Sequence, residues 1–277
     1  MTTIFPRLRP LPNFNAVAAG ATATLDLPTD GVYYAVDLLY SRGATAATEA
    51  QMISDLLEVR VNINGVTQRK LSAGQIIALN KFRGQPINSG VLTLYFALPW
   101  RPNAAEEDAL AWGMADVSTF QIEVDIEGTV TTPVLKAQAY KLPVSANMGP
   151  IIKQRRFVVP VGATGLINFT TLPRDDSYLA LHAVSANISD IEVIVDGEQM
   201  IKSSIANLHA GQEVYGLVPQ SGYTHLAFDR RNRNSDLLTM TRQRNGQNVR
   251  VSDFQLDFMM TSATSFTLIT EQVGTRD

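Results

Sequence analysis

The feature that most constrains the fold of this chain is an internal duplication, in which short motifs of the first half recur in the second half. Seven motif pairs occur in the same order at offsets of 132 to 145 residues, and the offset changes where the loops differ in length. One such match could arise by chance, but seven in order predict two copies of one structural unit. The pairs are Gly20-Ala21-Thr22 with Gly162-Ala163-Thr164, Leu27-Pro28 with Leu172-Pro173, Ile53-Ser54-Asp55 with Ile188-Ser189-Asp190, Asn64-Gly65 with Asp196-Gly197, Leu71-Ser72-Ala73-Gly74-Gln75 with Leu208-His209-Ala210-Gly211-Gln212, Leu94-Tyr95-Phe96 with Leu226-Ala227-Phe228, and Phe120-Gln121-Ile122-Glu123 with Phe254-Gln255-Leu256-Asp257.

Each copy has the alternation of apolar and polar residues that is typical of half-buried strands. From Phe120 to Glu127 every second residue is apolar and the others are polar or charged, which separates the two faces only in a strand. Two similar runs lead into Asn64-Gly65 and Asp196-Gly197, pairs that favour two-residue hairpin turns. The chain is therefore predicted to be all-β.

The same patterns predict eight strands in each copy, and thus two tandem eight-stranded jelly-roll β-sandwiches. We predict an N-terminal arm (1–13), a first jelly-roll (14–142), a linker (143–156) and a second jelly-roll (157–277). A short helix is expected in one connection of the first copy, where Asn103 can cap residues 104–111. The predicted strands are Ala21–Leu27, Val32–Tyr40, Leu57–Ile63, Val66–Leu71, Gln75–Lys81, Val91–Leu98, Thr119–Glu127 and Pro133–Tyr140, then Thr164–Thr171, Ser177–Val184, Asp190–Val195, Glu198–Ser203, Gln212–Val218, Tyr223–Asp229, Ser252–Met260 and Ser265–Glu271.

Composition narrows the classes of function. The 277 residues include no cysteine, which excludes disulfides and thiol chemistry and is compatible with folding in a reducing cytoplasm. With 23 basic and 26 acidic residues the net charge is −3, so any contact with nucleic acid or a membrane is expected to be local. Residues 1–13 have no apolar core of a signal peptide, and no apolar run is long enough to span a membrane.

Catalytic motifs are missing from the sequence, so the chain is predicted not to be an enzyme. It has no phosphate-binding loop, nucleophile elbow or His-Glu-x-x-His pair. His182, His209 and His225 are far apart in sequence and are interpreted as structural. The acidic stripe formed by Glu123, Asp125 and Glu127 is interpreted as a solvated strand face, with a calcium site as the alternative.

Charge distinguishes the two copies most clearly at the connection between their sixth and seventh strands. This connection is acidic in the first copy and basic in the second. We hypothesise that the two connections meet within or between subunits, and the alternative is that both are simply exposed. The residues are Glu106, Glu107 and Asp108 in the first copy, and Arg230, Arg231, Arg233, Arg242 and Arg244 in the second.

Two further groups of basic residues could contact phosphate. Arg7 and Arg9 lie in the predicted arm, and Arg155 and Arg156 follow Lys153 at the end of the predicted linker. Each group could bind lipid head groups or genome phosphates, or could belong to a solvated linker and a disordered tail. Because aromatic residues are not interleaved with these charges, sequence-specific nucleic-acid binding is not expected.

Motifs near the start of each copy resemble those of a known family. Leu11-Pro12-Asn13, Val17-Ala18-Ala19-Gly20, Leu27-Pro28, Val36-Asp37-Leu38 and Tyr40-Ser41 resemble the opening of the major capsid proteins of corticoviruses. These are tailless icosahedral phages with an internal membrane. In the second copy the order of Leu172-Pro173, Tyr178 and Asp196-Gly197 is similar.

The resemblance implies a double jelly-roll protein of the virion capsid that is made in the host cytoplasm. Three chains would form a capsomer of hexagonal outline, in contact with neighbouring capsomers, minor capsid proteins and internal membrane lipid head groups. Members of such families bind calcium, but no carboxylate of this chain matches a ligand position.

Two other functions are compatible with a pair of β-sandwiches. A glycan-binding spike or adhesin would need exposed aromatic residues on loops, for which only Trp100 and Trp112 are available as tryptophans. A carbohydrate-active enzyme would need two convergent carboxylates. The copies share predicted cores and turns but differ in loop length and charge, as expected if they take distinct positions in one capsomer.

Overall fold

The structure is a computed structural model that describes residues 6–244 and 246–277. Residues 1–5 of the predicted arm lie outside the described residues. The chain forms two compact units, one of residues up to Gln154 together with Thr275–Asp277, and one of Arg155–Gly274. The predicted domain boundaries stay a prediction, and each unit is described by itself.

The first unit contains two antiparallel sheets. In one sheet β3 is central, with β10 on one side, β7, β4 and β8 along the other, and β1 next to β10. The other sheet has the order β2-β9-β5-β6, and β11 begins beside β6 with a parallel pairing. The elements are β1 (Arg7–Pro10), β2 (Thr22–Leu27), β3 (Val32–Arg42), β4 (Thr45–Ala46), α1 (Glu49–Asp55), β5 (Leu56–Ile63), β6 (Val66–Leu71), α2 (Ala73–Phe82), β7 (Val91–Tyr95), α3 (Ala104–Asp108), β8 (Trp112–Gly113), β9 (Phe120–Ile126), β10 (Pro133–Leu142) and β11 (Ile151–Val159).

Alternating residues of these strands form the core of the first unit. Along β9 every second side chain is buried, as the sequence pattern predicts. Phe120 meets Tyr33 edge-on at 5.1 Å, and Trp112 packs against Phe96 at 4.4 Å between ring centroids. Such aromatic packing buries large apolar areas and holds the two sheets together.

The second unit repeats this architecture. One sheet has the order β16-β13-β20-β11, and the other has the order β12-β19-β14-β15. A separate hairpin, β17–β18, lies in the connection before β19. The elements are the remainder of β11, β12 (Gly165–Phe169), β13 (Ser177–Val184), β14 (Ile188–Val195), β15 (Glu198–Ser204), α4 (Ile205–Glu213), β16 (Thr224–Ala227), a 3-10 turn (Asn234–Asp236), β17 (Thr241–Arg244), β18 (Gln247–Arg250), β19 (Phe254–Met260) and β20 (Phe266–Gly274).

Turns that the duplication predicts have the same hydrogen bonds in both units. The side-chain oxygen of Asn64 accepts the backbone N–H groups of Ser118 and Thr119, and that of Asp196 accepts those of Ser252 and Asp253. Both turn residues have positive φ, near 50°, which Asn and Asp tolerate better than most residues.

A buried tyrosine is also repeated. Tyr33 donates to the carbonyl of Pro28 at 2.8 Å, and Tyr178 donates to the carbonyl of Pro173 at 2.5 Å. These matched contacts show that the sequence duplication is a duplication of structure.

The fifth predicted strand of each copy is wrong. Residues 75–81 lie in α2, and residues 212–218 contain the end of α4 followed by irregular chain. Ser72 caps α2 and Ser204 caps α4, each through its side chain. The motif match that aligned Ser72 with His209 was therefore misplaced, because the equivalent cap is Ser204.

Other local predictions have mixed outcomes. The short helix in the first copy is confirmed as α3, which ends at Asp108 and is three residues shorter than predicted, and Asn103 accepts the backbone N–H of Glu106. An additional helix, α1, begins after the capping residue Thr48, in a segment between the predicted strands Val32–Tyr40 and Leu57–Ile63. Residues 151–156 of the predicted linker lie in β11, where Ile151 and Ile152 are buried.

The first unit is completed by three residues from the far end of the sequence. Lys153, which is 3% exposed, donates to the Asp277 side chain at 2.9 Å. The backbone N–H of Asp277 donates to Gln68, and Arg276 forms an ion pair with Asp116 at 2.9 Å. Residues 275–277 therefore belong to the first unit, although they follow the second unit in the sequence.

Candidate functional site

The basic connection of the second unit runs from β16 to β19, and its first three arginines are exposed. Arg231 donates two hydrogen bonds of 2.8 and 2.7 Å to Asp236. These hydrogen bonds hold the pKa of Asp236 below its ordinary value. Arg230 lies over the ring of Tyr215, at 5.9 Å from its centroid, and Arg233 is exposed. Arg231 is thus already paired, while Arg230 and Arg233 extend the exposed positive charge.

The later arginines of this connection belong to the hairpin β17–β18. Arg242 donates to Glu198 at 3.0 Å and to the carbonyl of Val195 at 3.2 Å. It therefore stabilises the hairpin against the turn between β14 and β15. The side chain of Arg244 lies outside the described part of the chain.

The acidic helix of the first unit has one carboxylate that is paired internally. The buried Arg101 binds Glu106 at 2.6 Å, in a charge-assisted hydrogen bond. Glu107 is half-buried and Asp108 is exposed. Burial, together with the charge and hydrogen bond of Asp108, raises the pKa of Tyr34 to about 12. Since the two charged connections belong to different units, the hypothesis that they meet stays a prediction.

Arg7 and Arg9 lie in a strand, and the tail interpretation is wrong for these residues. β1 pairs with β10, which places Arg7 opposite Lys141 and Arg9 opposite Ala139. Both arginines are exposed. In the other basic group Lys153 is buried, and Arg155 and Arg156 are half-buried in β11. Lys153, Arg155 and Arg156 therefore do not form a continuous exposed basic patch.

The acidic stripe on β9 surrounds an arginine. Arg60 binds Glu123 at 2.7 Å, Asp125 at 2.7 Å and Glu58 at 2.7 Å. Its hydrogen bonds lower the pKa of Asp125. The guanidinium of Arg60 thus lies between Glu123 and Asp125, where a calcium ion was the alternative. Glu127, which follows β9, instead accepts the backbone N–H of Thr129 at 3.1 Å. The solvated-face interpretation therefore misses the ion pairs of two of the three carboxylates.

The three histidines, distant in sequence, meet inside the second unit. His182 on β13 faces His225 on β16, with 2.7 Å between their Nδ1 atoms, and both side chains are fully buried. The ring of His209 lies 6.3 Å from that of His225. Their proximity follows from strand pairing, since His182 and His225 are direct cross-strand partners. The equivalent pair in the first unit is Asp37 with Thr93, but no sequence signal gives this register before the structure is known.

Within residues 6–244 and 246–277, no group of three or more His, Cys, Asp or Glu side chains is arranged to hold a metal ion. Nor does any helix in these ranges have the length and apolarity to cross a membrane. The notable surface features are instead local charges on connections and edge strands. Such features suit contacts between macromolecules, in which charge selects partners and register.

Comparison with known proteins gives the same family for both halves of the chain. Residues 8–143 match the family model for the viral coat protein P2 N-terminal domain, and residues 151–276 match that for the C-terminal domain. The chain is 28% identical over 203 residues to the major capsid protein P2 of Pseudoalteromonas phage PM2. That alignment covers 70% of each sequence.

Solved structures share the fold. The crystal structure of the major capsid protein P2 from bacteriophage PM2 has a TM-score of 0.86, with 21% identity over 98% of both chains. The PBCV-1 virus capsid has a TM-score of 0.65, with 9% identity over 99% of this chain and 94% of that one. The STIV MCP has a TM-score of 0.64, with 12% identity over 97% of this chain and 96% of that one. The predicted double jelly-roll fold is confirmed.

Proposed function

The chain belongs to the viral coat protein P2 family, and from this premise we propose that it is the major capsid protein of a tailless icosahedral phage. The observation that carries the proposal is that coat-protein domain models match both halves, each of which forms a sandwich unit. A capsid protein acts through its surfaces, so the proposed function is assembly into a shell in the virion.

We further propose that three chains form one capsomer over an internal membrane. Two similar sandwiches in each chain give a trimer six comparable lobes and thus a pseudo-hexagonal outline. The duplicated turns and tyrosines support similar cores in the two units. The opposite charges of their two connections support different contacts between each unit and its neighbours in the capsomer. Neighbouring capsomers and minor capsid proteins would then contact chemically distinct edges.

Light scattering of the purified chain coupled to size-exclusion chromatography tests this proposal. We expect a mass three times that of the chain, and negative-stain images with hexagonal particles. A protein that stays monomeric at high concentration would contradict the trimer. Shell-like particles without a trimeric intermediate would support the capsid function and contradict the capsomer.

Specific surface residues follow as proposals for these contacts. Exposed Arg230 and Arg233 are the candidates for contact with exposed Asp108 of a neighbouring subunit. Glu106 and Arg231 already form ion pairs in their own chain, whereas Asp108 hydrogen-bonds the uncharged Tyr34. Arg7 and Arg9, exposed on β1, are the candidates for contact with lipid head groups. Co-flotation with vesicles of anionic lipid, compared between the chain and its Arg7→Ser/Arg9→Ser variant, tests the second contact.

The glycan-binding alternative gains no support. Trp112 is fully buried, and Trp100 packs against Tyr95 at 5.8 Å between ring centroids. Neither tryptophan forms an exposed platform on which a sugar ring could stack. The relatives described above are capsid proteins, and we propose that this chain likewise has a structural rather than an enzymatic role.

A further inference from the structure

An aromatic slot lies on the outer face of the first unit, where β10, β3 and β7 run side by side. Ala35 on β3 has Tyr95 of β7 as its partner on one side and Tyr140 of β10 on the other. Because Ala35 has a methyl side chain, it leaves space between the two rings. The space is part of a cavity of about 400 Å³, which is within the size range of small-molecule sites.

A buried carboxylate lies one row further along the same face. Asp37 is 6% exposed and has Thr93 and Gln138 as its cross-strand partners. It accepts hydrogen bonds from Thr93 at 2.7 Å and from Gln138 at 3.0 Å. These two donors fix the carboxylate while its remaining lone pairs can accept from a ligand.

The charged groups of the cavity all have one sign. Asp37 and Glu107 line it together with Tyr34, Tyr95 and Tyr140, and its lining includes no Lys or Arg among the described residues. Burial, then Asp108 and Glu107, raises the pKa of Tyr34, and burial followed by the charge of Asp37 raises that of Tyr95. The cavity therefore favours cations and disfavours anions.

The second unit lacks such a slot at the equivalent positions. Ala180 takes the place of Ala35, but its cross-strand partners are Ala227 and Glu271 rather than tyrosines. His182 and His225 replace Asp37 and Thr93. The aromatic walls and the acidic row are thus features of this one unit and do not follow from the fold alone.

We propose that the slot binds a linear diamine or polyamine. The faces of tyrosine rings attract ammonium groups and pack against methylene chains. Two separate carboxylates can each pair with one ammonium group of the same linear molecule. The combination of two carboxylates with three tyrosines suits an elongated cation that carries more than one charge. This inference does not depend on the capsid function.

Isothermal titration calorimetry of the assembled full-length protein with spermidine tests the proposal. We expect saturable binding of one amine per chain, with an affinity that falls about tenfold in Asp37→Asn and in Glu107→Gln. Glu213→Gln, in the second unit, is the matched control and should bind like the unaltered chain. Trp100, which packs against Tyr95, gives a second readout through its fluorescence.

Three results would overturn the proposal. The first is an absence of binding by a folded protein, as judged by its thermal melting temperature. The second is equal binding by Asp37→Asn, Glu107→Gln and the control variant. The third is binding of spermidine that occurs only after Arg230 and Arg233 are replaced by Ser. That result would show that, in the unaltered assembly, an arginine of a neighbouring copy fills the slot.

Discussion

At the scale of single residues, the matched turns of the two units provide an internal control on the role of charge. Asn64 and Asp196 have nearly equal φ values and accept equivalent pairs of backbone N–H groups, but only the side chain of Asp196 can ionise. Backbone and side-chain hydrogen bonds from Asp253 and Ser252 lower the pKa of Asp196. These hydrogen bonds therefore stabilise the folded state at pH values above the ordinary pKa of an aspartate. The stabilisation is lost as the pH falls through the lowered pKa of Asp196 in the folded protein.

We predict that Asp196→Asn stays within about 1 kcal/mol of the unaltered chain at pH 7, because asparagine keeps the acceptor and tolerates the turn. Its unfolding free energy should fall less steeply below about pH 4. Urea unfolding at a series of pH values measures both quantities. Parallel pH curves for the two proteins would show that Asp196 has no such role.

At the scale of elements, the two helices that replace predicted strands show where sequence reasoning failed. α2 buries residues on most of its faces, among them Ile76, Ile77 and Leu79, so it has no clear helical period. The readable signal was its first turn, where Ser72 and Gln75 form a capping box. Strands with one polar face, such as β9, were predicted to within a residue or two.

We predict that Ser72→Ala lowers the unfolding free energy by about 1 kcal/mol, because it removes an acceptor for the first turn of α2. Ser204→Ala should have a similar effect through α4. Ser72→Asp keeps an acceptor and is the matched control. Chemical denaturation compares the three, and an unchanged midpoint in Ser72→Ala would contradict the role of the cap.

The candidate sites were harder to predict than the strands. The charged residues of the two connections were found from sequence, but their internal partners, Arg101 and Asp236, were not. The slot around Ala35 depends on the register of β10, β3 and β7, and composition or periodicity does not fix register between strands distant in sequence. The meeting of His182 with His225 depends on register in the same way.

At the scale of the whole molecule, we predict that reversing charge at both Arg230 and Arg233 weakens assembly. Replacing them with Glu should raise the concentration at which the proposed trimer dissociates by about tenfold or more, because like charges would then face the acidic connection of a neighbour. Lys136→Glu, a single reversal on the exposed side of β10, is a control for charge reversal away from this contact and makes half of the change in net charge. Sedimentation analysis at two salt concentrations measures the effect, and unchanged dissociation would exclude this contact.

The tail at residues 275–277 has a consequence for the order of events during synthesis. A domain near the start of a chain ordinarily folds while the ribosome is still translating the later domains. Here the first unit gains its ion pairs with Asp277 and Arg276 only after the second unit has been translated. A prematurely ended chain therefore lacks these contacts in its first half, and we expect it to be cleared by proteases rather than built into particles.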